Sequence, residues 1–180
     1  MTDTEPLILD ASVVFNLGHR GQLVPLMGKL AEHRKLMITP EVEGEVTLKP
    51  RPDFDYRGLI EKLCHRWDLP LSNINAIPVE FRVQLGPGEQ SVLALAHEKG
   101  WLAAIDEAQG RKAARQMGVN LTGTLGLLES GLAVQCLTDS ECMASVWRLK
   151  ETGFRLPVQP GANDDFVDYM ERVRQRLAKG

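Results

Sequence analysis

Short apolar runs alternating with amphipathic stretches predict an α/β fold. The expected form is three-layered, with a mostly parallel central sheet covered by helices. Residues 7–9 (LIL) form an apolar run that suits a strand buried in the sheet centre. Residues 101–105 (WLAAI) form a second such run. Both runs end on an aspartate, Asp10 and Asp106. In open α/β sheets, ligands lie beyond the carboxyl ends of the strands, so both aspartates belong at a site edge.

The elements follow in order. After the first strand, residues 11–17 read as a helical turn with Ser12 near the strand end, broken by Gly18 and Gly21. A helix over about 22–33 must start near Leu23, because Pro25 is tolerated only in a first turn. Residues 35–39 (KLMIT) are the second strand, and 41–48 a short helix with Val42 and Val46 inward at i, i+4. Glu41 and Glu45 share another face by the same spacing. Lys49-Pro50-Arg51-Pro52 makes a loop. Residues 56–67 read as a helix with Leu59, Ile60, Leu63 and Trp67 on one side. Residues 69–75 read as a loop. A weak third strand over 76–79 is placed at an edge by Pro78.

Glu89 opens a helix to Lys99, with Val92, Leu93, Leu95 and Ala96 inward and Gly100 ending it. The 101–105 strand is followed by a helix to Met117, a fifth strand at 119–121, and a short helix from Thr122 or Thr124 to Gly131. Thr138-Asp139-Ser140-Glu141 is a capping box for a helix to about Thr152, which Gly153 ends. After a Pro- and Gly-rich loop, a last helix over 164–178 carries the stripe Phe166, Met170, Val173 and Leu177. The division expected is 1–135 for the α/β body and 136–180 for C-terminal helices packed on the same domain.

The 180 residues suffice for one domain with a sizeable core, and 43% hydrophobic with 25% charged residues argues against disorder. The net charge of -3 does not point to nucleic acid, although a local basic patch would be enough to bind it. Cys64, Cys136 and Cys142 form no zinc pattern and are read as buried free thiols in a reducing compartment. No apolar run approaches the roughly 20 residues of a membrane span. The acidic start, MTDTEPLILD, lacks a signal peptide's apolar core. A cytoplasmic location without membrane contact is expected.

Asp10, Glu45, Glu89 and Asp106 are the residues whose chemistry could combine. Carboxylates gathered in one pocket repel each other unless protonated or bound to cations. An all-oxygen ligand set at about 2.1 Å suits Mg²⁺, or Mn²⁺ by the same argument. Arg111, Lys112 and Arg115 follow Asp106 and are candidates to meet phosphates. Singly, each acid has a plainer reading: a strand-end Asp ordinarily caps the next helix, and a helical Glu complements a dipole or faces water. Arg172, Arg174, Arg176 and Lys179 are read as complementing a helix C-terminus. Trp67, Trp101 and Trp147 are read as core. The four histidines form no ligand spacing.

The ordered segments LILDAS (7–12), PEVEGEV (40–46), GEQSVLALA (88–96), IDEAQGRKAA (105–114) and GTLGLL (123–128) resemble the PIN domain superfamily of metal-dependent nucleases, most closely its prokaryotic toxin-related branch. The resemblance implies that Asp10, Glu45, Glu89 and Asp106 are catalytic and surround one or two Mg²⁺ or Mn²⁺ ions. Ser12 and Thr124 match small hydroxyl positions that support such a site. Relatives often carry a second aspartate where this chain has Glu107, which is therefore a further candidate ligand. Gly110 stands where relatives often have alanine, a local weakening of that helix. The implied activity is metal-dependent endoribonuclease hydrolysis of RNA, with a toxin–antitoxin role, an antitoxin protein and a homodimer as candidate associations. The alternative is a catalytically inactive PIN-like module that binds nucleic acid or protein. A phosphatase with Asp10 as nucleophile fits less well, because Ser12 stands where that class usually has another aspartate.

Overall fold

The computed structural model describes residues 5–20, 23–48, 53–68, 71–157 and 165–178. The expected loop at 49–52, the N-terminal residues 1–4, Gly21, Gln22, most of the Pro- and Gly-rich loop, and Lys179 lie outside them. Among these residues, five parallel strands form one sheet in the order β3-β2-β1-β4-β5. They are β1 (Leu7–Leu9), β2 (Leu36–Ile38), β3 (Cys64–Arg66), β4 (Leu102–Ala104) and β5 (Leu121–Thr122). Helices connect them: α1 (Ala11–Phe15), α2 (Val24–His33), α3 (Pro40–Thr47), α4 (Tyr56–Leu63), α5 (Val79–Arg82), α6 (Pro87–Lys99), α7 (Ala108–Gln116) and α8 (Thr124–Ala133). Two more, α9 (Asp139–Glu151) and α10 (Asp165–Leu177), follow. This is the α/β, mostly parallel arrangement the sequence predicts.

β1 lies at the centre, in register with β2 through Leu7 and Leu36, and with β4 through Leu9 and Ala104. Leu7, Ile8 and Leu9 are fully buried, as an uninterrupted apolar run requires when helices cover both faces. The strand order reverses between β1 and β4. Asp10 and Asp106 follow those two strands, at the switch point where such sheets place their ligands.

Two expectations fail on the sheet's far edge. Residues 76–79 are not a strand. A 3₁₀ turn over Leu71–Ala76 runs into Ile77, which is fully buried, and Pro78 then caps the four-residue α5. The third strand is Cys64–Arg66, inside the stretch expected to be helical to Trp67. Its side chains are largely exposed, and its ladder comes only from pairing with β2, continued by Trp67 N donating to Ile38 O at 2.9 Å. Tertiary pairing overrides the helical period here.

The C-terminal helices also correct the sequence reading in places. Met170 and Val173 of α10 are buried and Phe166 is half-buried, but Leu177 is 39% exposed. Tyr169, not predicted, is buried, and its hydroxyl donates to Glu129 of α8 at 2.8 Å. Arg174 and Arg176 stand in the last turn of α10, as expected of cations at a helix C-terminus, and the arginines also make ion pairs: Arg172 with Asp168, Arg174 with Asp139, and Arg176 with Glu129. Trp67 and Trp147 are exposed, not core; Trp67 stacks edge-on against the half-buried Trp101 at 5.4 Å. All three cysteines are free, but only Cys142 is buried.

Candidate functional site

Asp10 leaves β1 with extended backbone and caps α1, so its carboxylate is turned to the first turn of that helix. Ser12 donates to Asp10 Oδ2 twice, through its backbone N at 3.1 Å and through its hydroxyl. The other oxygen, Oδ1, is buried and has no hydrogen-bond partner. Asp10 is only 2% exposed. Burial raises its pKa, the Ser12 and Ala11 donors work against that, and the charge of Glu45 raises it further.

Glu45 arrives on α3, which starts from the buried cap Thr39 at the end of β2. Its Oε1 accepts from the backbone N of Gly88 at 2.8 Å, at the start of α6. The link between α3 and α6 is completed beneath by Thr39 Oγ1 and Ser91 Oγ, 2.7 Å apart. Glu89 sits in the first turn of α6, where Oε2 accepts from Gly86 N at 3.1 Å. Its Oε1, like Asp10 Oδ1, is buried without a partner. Burial raises the Glu89 pKa, the Gly86 amide opposes this, and the charges of Asp10, Glu107 and Glu45 add to the rise. Those mutual influences put Asp10, Glu45, Glu89 and Glu107 in one electrostatic neighbourhood.

Asp106 belongs to the same edge but is built differently. Its backbone N donates to Ser12 Oγ at 3.4 Å, so Ser12 links the ends of β1 and β4. Its Oδ1 accepts from Thr124 N at 2.9 Å, capping α8, and its Oδ2 accepts from Asn16 Nδ2 at 2.8 Å and from the Thr124 hydroxyl. Asn16, 4% exposed, is a site residue the sequence reading missed. Its signal was the spacing Ser12, Asn16, one helical turn on the same face.

Gly110 has a positional reason. A Cβ there would lie 2.8 Å from Glu89 Oε1 and 2.9 Å from Ile105 Cγ2, so α7 passes directly over the Glu89 carboxylate. Arg111, expected to meet phosphate, is instead half-buried. Its Nη1 donates to the carbonyls of Ile105 and Thr122 at 2.7 and 2.8 Å, tying β4 to β5. Lys112 leans over the Phe81 ring at 5.9 Å, while Arg115 is exposed.

The residues fit a hard cation in two respects. Of the four buried carboxylate oxygens without a hydrogen-bond donor among the described residues, two belong to the site, Asp10 Oδ1 and Glu89 Oε1, which is costly unless something positive meets them. The donor set is all oxygen, which suits Mg²⁺ or Mn²⁺. Among the described residues, however, no three His, Cys, Asp or Glu side chains are gathered closely enough to form a ready ligand cluster. The carboxylates share an edge and a field without converging on one point.

The reversal point of a parallel sheet thus carries acids at two strand ends, Asp10 and Asp106, one in α3, Glu45, and one at the start of α6, Glu89, in an α/β domain. The chain belongs to the PIN-domain family: residues 6–160 match DUF3368, a PIN domain. The match takes in α9 as well as the α/β body. PIN domains are generally nucleases that bind nucleic acid and divalent metals. No curated protein matches the chain. No helix among the described residues is long and apolar enough to cross a membrane.

Proposed function

We propose that the protein is a Mg²⁺- or Mn²⁺-dependent endoribonuclease, with Asp10, Glu45, Glu89 and Asp106 as metal-holding residues and Glu107 as a further ligand candidate. The observation that supports it most is the pair of buried, donorless oxygens, Asp10 Oδ1 and Glu89 Oε1, at the switch point of a PIN domain. When bound, a divalent ion polarises phosphoryl oxygens and eases deprotonation of an attacking water. Asp10 is aimed by the two Ser12 donors, so its other oxygen is left to face the cation. Glu89 is held by Gly86 and Glu45 by Gly88, each through one oxygen, leaving the second available. Asn16 and Thr124 fix Asp106, and a carboxylate of the set accepts the water's proton. The test is cleavage of a single-stranded RNA panel. Activity lost in EDTA and restored by Mn²⁺ or Mg²⁺ supports the reading, and no cleavage with Mn²⁺ across the panel defeats it.

The second reading is a catalytically inactive PIN-like module. The spread of the described carboxylates, with no three at ligand distance, favours it. It is distinguished by nucleic-acid or protein binding without cleavage. A toxin role, with an antitoxin partner in the cytoplasm, rests on the resemblance to toxin-related PIN domains. Growth arrest on expression, relieved by Asp10→Asn, is its test.

A further inference from the structure

The acidic edge poses a problem for any RNA that approaches it, because a phosphodiester chain must be attracted past several carboxylates. Of the three basic residues after Asp106, Arg111 is engaged with backbone carbonyls and Lys112 leans over Phe81. Across from Asp106 lies a different wall. A cleft of about 340 Å³ is lined by Ser12, Asn16, Asp106 and Glu107 on one side, and by Thr152, Gly153, Phe154 and Arg155 on the other. The second side is the end of α9.

That wall is held in place by α9 and its ending. The Thr138–Glu141 capping box starts the helix, Lys29 of α2 pairs with Glu141 at 3.0 Å, and Cys142, Ser145, Val146 and Leu149 are buried. At the other end the chain closes in a Schellman motif. Gly153 N donates to Lys150 O and Phe154 N to Leu149 O, both at 3.0 Å. Gly153 has φ 86°, the left-handed conformation this motif needs and that glycine adopts without strain. Leu156 then returns to the core, and Arg172 of α10 donates to Pro157 O. Phe154 and Arg155 are thus clamped between a fixed turn and a buried anchor. Phe154 is half-buried and Arg155 exposed. Among the described residues, no carboxylate pairs with Arg155.

We infer that Arg155 is a substrate-phosphate contact, and that the α9 terminus completes the RNA-binding cleft opposite Asp106. This rests on the nuclease reading and adds a binding role for a helix that otherwise looks like packing. Arginine suits the task because its planar fork of donors matches phosphate oxygens and stays charged at any working pH.

The experiment is fluorescence anisotropy of the full-length protein with a labelled single-stranded RNA oligonucleotide, repeated over a range of KCl. Arg155→Ala should weaken binding about tenfold, the scale of one hydrogen bond to a charged group. It should also lower the log–log salt slope by about 0.7, the value for one phosphate contact on a single strand. Arg155→Lys should restore most of the salt slope, and Mn²⁺ binding should be unchanged in both. Equal affinity and slope for parent and Arg155→Ala, with Asp10→Asn still abolishing cleavage, would overturn this inference and leave the nuclease reading standing. A parent protein that binds no RNA would overturn both.

Discussion

The two halves of the site use the same residue types to opposite ends. Asp106 is a satisfied group: both oxygens accept hydrogen bonds, from Thr124 and Asn16, and it caps α8. Asp10 and Glu89 are unsatisfied: each has one held oxygen and one buried oxygen with no donor, and burial raises both pKa values. An aspartate whose bonds are all made stabilises the fold. A buried carboxylate with a bare oxygen costs stability that a cation can return. The difference separates an acid already fixed by the protein, Asp106, from two that each keep an oxygen unmet.

That contrast can be broken by substitution. The largest effect expected is on Asp10→Asn, which removes one negative charge with little change in size. RNA cleavage should fall by about 100-fold or more, as loss of a metal ligand implies. Yet the metal-free protein should melt higher than the parent, because a desolvated charge has gone. A lower melting temperature would place Asp10 with the structural half. Asp106→Ala should do the reverse to the fold. It strands the buried Asn16 amide and the Thr124 donors, and denaturant unfolding should show a loss of about 1–3 kcal/mol. An unchanged midpoint would mean that those bonds contribute nothing.

The pH response of the metal-free protein is a gentler test. Asp10 and Glu89 have folded-state pKa values raised above the ordinary carboxyl range, so the folded protein binds protons more tightly there than the unfolded chain. Their contribution is fully present below about pH 4 and is lost as pH rises through the raised values. Saturating Mn²⁺ should flatten that decline, and Asp10→Asn should remove part of it. Thermal melts at several pH values, with and without Mn²⁺, would show otherwise if the two curves ran parallel. The smallest effect is expected for Gly110→Ala. Alanine favours a helix interior by about 1 kcal/mol over glycine, but its Cβ must push against Glu89 Oε1 and Ile105. A several-fold loss in Mn²⁺ affinity with the fold intact is the outcome that fits.

The satisfied and unsatisfied halves were not equally legible in the sequence. The central strands were, because LIL and WLAAI are apolar runs of strand length, and each ends on an aspartate. The acids of the site could be named for the same reason, together with their order along the chain. Their state of satisfaction could not. Whether Asp106 is bonded depends on Asn16 and Thr124, 90 and 18 residues away in sequence. β3 was hidden because Cys64–Arg66 is a polar edge strand directly following an amphipathic helix, and only β2 makes it extended. Arg111 looked like a phosphate contact by its position after Asp106, whereas the spacing of β4 and β5 turns it inward onto two carbonyls. Gly110 looked like a weak point in α7 until the Glu89 carboxylate beneath it supplied the reason.

Mn²⁺ titration of the purified, metal-free protein by calorimetry, beside folded Asp10→Asn, tests the account most directly. Saturable binding by the parent is expected, with loss of that binding in Asp10→Asn. Equal Mn²⁺ affinity in the two proteins, or no saturable binding by the parent, would contradict a divalent-cation site built on the bare oxygens of Asp10 and Glu89.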